Sequence, residues 1–111
     1  MIWYDDLYLS ENIEKKADKI KWKITHNAGM LHMYVISLPQ NNDSLLEIIS
    51  TKELMQRYYP KKNLVIVGIA KGYEEAVTMV ATIVVETMNS LGSTNVKQYL
   101  KEKRKENQKE R

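Results

Sequence analysis

Apolar and polar positions divide the chain into short oily runs and longer spaced stripes. At 64–70 the run LVIVGIA is apolar on both faces, so the strand it predicts has to be covered on both sides. Residues 31–38, LHMYVISL, repeat the pattern, and Pro39 ends it. Residues 2–9, IWYDDLYL, set aromatic and branched side chains around Asp5 and Asp6, which suits an edge strand better than a central one.

Helical spacing fills the gaps. Ser10 is the predicted N-cap of a helix reaching about residue 28, whose stripe Ile13, Ala17, Ile20 and Ile24 keeps to one narrow face, with Gly29 as its C′ residue. After the polar loop at 40–43, the pattern reads as a helix in two pieces. The first covers 44–49; the second restarts at the capping box Ser50-x-x-Glu53 and runs to about Tyr58. Gly72 is expected to cap a long last helix with Glu74 and Glu75 in its first turn. Its apolar face holds Val77, Val80, Ala81, Val84, Met88 and Leu91, and Gly92 stops it. Ser93 or Thr94 then caps a terminal helix through Tyr99 and Leu100.

The predicted fold class is α/β: a small βαβαβα domain at 1–92 with a three-stranded, mostly parallel sheet, then a terminal helix and charged tail at 93–111. Segments 31–38 and 64–70 are expected to be parallel neighbours joined by a right-handed helical crossover. Ala76, Ile83 and Val85 widen the last helix's apolar face beyond what one sheet contact needs. A homo-oligomer that buries the surplus is therefore expected.

Composition narrows the function classes. A chain of 111 residues makes one small domain. It has no cysteine, which removes disulfides, a thiol nucleophile and thiolate zinc sites. The start, MIWYDDLYLS, has no basic residue, so no secretory signal is expected. The most apolar window, 76–85, is about half of the roughly 20 residues that cross a bilayer, so no membrane contact is expected and a cytoplasmic location is. The net charge of +3 sits wholly in the tail, where six basic residues face three acidic ones at 101–111; residues 1–100 sum to zero. The tail's glutamates and lysines each recur every four residues, which supports a solvated helix.

Two clusters are candidates for chemistry. In open parallel α/β sheets, ligands sit beyond the carboxyl ends of the strands. Asn42, Asp43, Lys71, Tyr73 and Glu74 fall there and could hold a small polar ligand, although turns and caps draw the same residue types. The loop GIAKG matches neither phosphate-binding glycine motif, and Glu74 and Glu75 would oppose a phosphate. The second cluster is the outer face of the first helix, where Trp22 stands opposite the isoleucine stripe among Lys15, Asp18, Lys19 and His26. Packing by another element, a protein partner and base stacking all remain open for it. His32 is read as a half-buried structural residue on the face of Tyr34 and Ile36. No metal-ligand spacing, cofactor motif or catalytic triad motif is present.

The leading functional expectation is a non-enzymatic protein-interaction or regulatory module that self-associates through its last long helix. The alternatives are nucleic-acid binding by Trp22, Lys15, Lys19 and the tail, in which binding is weak and salt-dependent, and a ligand or catalytic site at the strand ends.

Overall fold

Three strands of the sheet run one way and a fourth runs against them. In the computed structural model, residues 1–11, 13–28, 32–39, 46–56 and 63–109 are described, 105–109 as backbone only. The strands are β1 (Ile2–Leu9), β2 (Met33–Ser37), β3 (Glu47–Ser50) and β4 (Val65–Lys71), in the order β1-β4-β2-β3. β1 pairs with β4 in parallel, whereas β2 pairs with both β4 and β3 antiparallel. The helices are α1 (Ala17–Thr25, preceded by a 3-10 turn at Glu14–Lys16), α2 (Thr51–Leu54), α3 (Tyr73–Leu91) and α4 (Val96–Lys109).

This corrects the expected fold in two respects. The sheet has four strands instead of three, and two of its three pairings are antiparallel instead of mostly parallel. β2 and β4 are neighbours, but head to tail. The extra strand comes from the segment expected to begin a helix at 44–49: Glu47–Ser50 is β3, and it folds back on β2 with Ile49 opposite Val35 and Ile48 opposite Ile36. A short apolar run does not separate strand from helix by periodicity, and the paired β-branched Ile48-Ile49 suits a pleated surface. The expected crossover between parallel neighbours is therefore absent: β2 runs into β3, and the described helix between β3 and β4 is the short α2.

Local signals for the ends of elements fared better. Ser50 caps α2, its hydroxyl accepting from Glu53 N at 3.1 Å. Gly92 ends α3 in the left-handed region at φ 68. Asn95, not Ser93 or Thr94, caps α4, its side-chain oxygen accepting from Gln98 N at 3.2 Å. Ser10 does not cap α1; its hydroxyl accepts from Lys71 N at 3.0 Å and so ties the end of β1 to the end of β4. His32 is not in the strand. It is exposed in the preceding turn at φ 60, and its carbonyl accepts from Gly72 N at 2.7 Å. Gly29 and Tyr58 lie outside the described residues.

Both faces of the sheet are covered. One face holds Val35, Ile49, Ile66 and Ile69 under Ile13, Ile20 and Ile24 of the α1 segment and Leu54 of α2. The other holds Tyr4, Ile36, Val67 and Ala70 under Ala76, Met79 and Ile83 of α3 and Val96 and Leu100 of α4. The central strands are buried almost throughout, which explains their unbroken apolar runs. Gly68 sits where α3 closes on β4: a Cβ there would stand 2.6 Å from Met79 Sδ and 3.2 Å from the Tyr8 carbonyl oxygen.

Candidate functional site

Antiparallel pairing of β2 and β4 dismantles the expected ligand edge. Met33, the first residue of β2, lies opposite Lys71, while Ser37, the last, lies opposite Ile66. The chain therefore leaves β2 at the far end of the sheet from Lys71, Tyr73 and Glu74. Asn42 and Asp43 lie outside the described residues. Lys71 and Glu74 are exposed, and Tyr73 is exposed with its ring edge-on to Tyr34 at 5.7 Å.

The parallel pair keeps a strand-end cleft of its own. Where β1 and β4 end together, a cleft of about 360 Å³ opens against α3. Tyr8, Ser10 and Glu11 line one side, and Glu75, Thr78 and Thr82 the other. Ser10 already accepts a backbone bond, and neither described histidine accompanies it. His26 is paired with Trp22, and His32 is in its turn. Among the described residues, none of Ser10, Thr78 and Thr82 is bonded to a histidine or a carboxylate. Among the described residues, no group of three or more His, Cys, Asp and Glu is placed to hold a metal ion.

Beside the cleft, a polar cluster joins β1 to α3 and α4. β1 bulges: from Trp3 to Tyr8 it advances five residues while β4 advances two, from Ile66 to Gly68. The bulge carries Asp5 and Asp6 toward α4, where Asp5 meets Arg104 Nε at 2.8 Å and Asp6 meets Lys103 at 3.9 Å. Inside them, Tyr8 donates to Glu86 Oε1 at 2.6 Å, and Tyr99 donates to the same oxygen at 2.9 Å. Lys103 donates to the Tyr8 hydroxyl at 3.1 Å. Burial first, then the bond to the Glu86 carboxylate, pushes the Tyr8 hydroxyl far above the usual tyrosine range. Tyr4 donates to the Leu100 carbonyl at 2.8 Å; burial, reinforced by the charge of Asp6, pushes it up to about 12. These groups clamp α4 onto the domain. The sequence carried one local hint of the clamp, the lone Glu86 in the apolar half of α3.

The outer faces of α1 and α3 both carry exposed large apolar side chains. On α1, Trp22 is 59% exposed and stacks on His26 with ring centroids 4.2 Å apart, while Lys15 and Lys19 are exposed on the same side. On α3, Tyr73 is 57% exposed and Val77 and Met88 are each 45% exposed. Val80 and Val84 between them, and Leu91 beyond them, are half-buried. α4 and the clamp occupy the β1 side of α3, so this stripe borders half-buried Tyr34 and Ile48 on the β2–β3 side. No described helix is long and apolar enough to cross a membrane. No protein-family profile, curated protein or solved structure matches the chain.

Proposed function

We propose that this protein is a non-enzymatic interaction module that self-associates through α3. The observation that carries the reading is an apolar stripe that the described helices leave exposed or half-exposed: Tyr73, Val77, Val80, Ala81, Val84 and Met88, spaced at helical intervals with no charge among them. A second copy fits the stripe because it is self-complementary. In an antiparallel pairing about a two-fold axis beside Ala81, Tyr73 faces Met88, Val77 faces Val84, and Val80 faces Ala81. The small Ala81 lets the two backbones approach at the axis.

Area decides how much must take part. A helix of 19 residues is about 28 Å long, and a stripe about 10 Å wide on it offers roughly 300 Å². A stable interface takes about 800 Å² from each partner. The interface therefore extends onto the sheet shoulder at Tyr34 and Ile48. Extension through the free edge of β3 is a poor substitute, since that strand has four residues and carries Glu47.

Light scattering across a concentration series tests this reading. Wild type is expected to be a dimer at tens of micromolar. Val77→Glu and Met88→Glu, both at exposed positions, are expected to be monomeric with unchanged circular dichroism. A wild-type chain that stays monomeric at several hundred micromolar refutes it.

A further inference from the structure

We propose that the outer face of α1 binds single-stranded nucleic acid, with a base stacked on Trp22 and phosphates held by Lys15, Lys19 and Lys23. Three observations converge on it. First, the indole has no structural duty: the α1 core contacts come from Ile20 and Ile24 on the opposite face, and Trp22 stays 59% exposed. Second, it is braced on one face. His26 lies under it at 4.2 Å and 22° between planes, and the His26 ring is itself fixed by Nδ1, 2.8 Å from the Trp22 carbonyl oxygen. A flat platform braced in this way loses little freedom when a base lands on it. Third, the charge is local. Residues 14–26 hold five lysines against Glu14 and Asp18, although residues 1–100 as a whole are balanced. Lys19 and half-buried Lys23 are one helical turn apart on α1, about 6 Å along the axis, and Lys15 stands in the 3-10 turn before it, a row that suits a backbone tracked phosphate by phosphate.

A protein partner fits this face less well. Hot-spot tryptophans sit inside a ring of apolar contacts that excludes water. Among the described residues, Trp22 is the one exposed large hydrophobic on α1, and its neighbours on the helix face are polar: Asp18, Lys19, Thr25 and His26. The face also lies on the opposite side of the sheet from α3, so it is independent of self-association.

Fluorescence anisotropy with a labelled short oligouridylate tests the proposal on the full chain. Binding at low salt is expected, weakened roughly 5- to 100-fold by Trp22→Ala and largely retained by Trp22→Phe, as base–aromatic stacking requires. Replacing Lys15, Lys19 and Lys23 together with glutamine is expected to flatten the slope of log affinity against log salt by about 2, at roughly 0.7 per phosphate contact. Val77→Glu is expected to leave binding unchanged, so failure of the dimer would not imitate failure here. The proposal is overturned by absence of binding at low salt, by affinity indifferent to Trp22→Ala, or by a polyglutamate peptide that competes as well as the oligonucleotide. The last result would assign the face to an acidic protein partner.

Discussion

Replacing Gly68 with alanine probes the closest approach between the sheet and α3. The added methyl would stand 2.6 Å from Met79 Sδ, 3.2 Å from the Tyr8 carbonyl oxygen and 3.4 Å from Ile36 Cγ1. The sulfur belongs to a flexible side chain and can move, but the carbonyl belongs to the backbone of β1 and yields less. Overpacking of this kind costs about 1–3 kcal/mol, which in a domain of this size lowers Tm by roughly 4 °C for each kcal/mol. Met79→Ala alone costs about 2–5 kcal/mol, because Met79 is nearly buried and leaves a void. In the double variant the new methyl enters space the thioether has left. The two costs are then expected to fall short of additivity by about 1 kcal/mol or more. Urea denaturation of the four proteins, with midpoints compared at constant slope, measures the coupling. Strict additivity, or a neutral Gly68→Ala, would refute the placement of Met79 over Gly68.

Two further predictions concern the α4 clamp. The Tyr4 hydroxyl is raised from 10.0 to about 12 in the folded chain. The unfolded chain therefore loses that proton first, and stability is full below pH 10 and falls as pH rises toward 12. The loss attributable to Tyr4 is at most roughly 3 kcal/mol, and Tyr4→Phe is expected to flatten that part of an alkaline denaturation profile; an unchanged profile contradicts the assignment. Glu86→Ala removes the acceptor shared by Tyr8 and Tyr99 and is expected to destabilise by about 1–3 kcal/mol. Amide exchange is expected to rise first in α4; a rise confined to the α1 face of the sheet would contradict the clamp.

Much of the fold was legible in the sequence wherever a signal was local. The capping box at Ser50 and Glu53, the glycines flanking α3 and the isoleucine stripe of α1 each specify an element through residues a few positions apart. The doubly buried β2 and β4 were legible for the same reason, as was β1 at the edge. Strand direction was not. Whether β2 and β4 run parallel depends on whether 44–49 forms a helix or folds back as a strand, and LLEII supports either until Ile49 finds Val35. The ligand edge inherited that error, because it assumed that β2 and β4 end on the same side. The clamp was hidden for another reason: Tyr8, Glu86 and Tyr99 are brought together by a β1 bulge that no periodicity announces. The surfaces of α1 and α3 were visible because an amphipathic helix shows its outer face as plainly as its inner one.

Self-association through α3 is tested most directly by a single cysteine, since the chain has none of its own. In an antiparallel α3 pair the two Ala81 residues flank the two-fold axis, within the roughly 4.4–6.8 Å between Cα atoms that a disulfide spans. Under mild oxidation Ala81→Cys is expected to convert quickly to a covalent dimer, while Thr82→Cys, exposed on the cleft side of the same helix, stays largely monomeric. Equal rates at the two positions, or faster crosslinking at Thr82, would contradict pairing along this stripe.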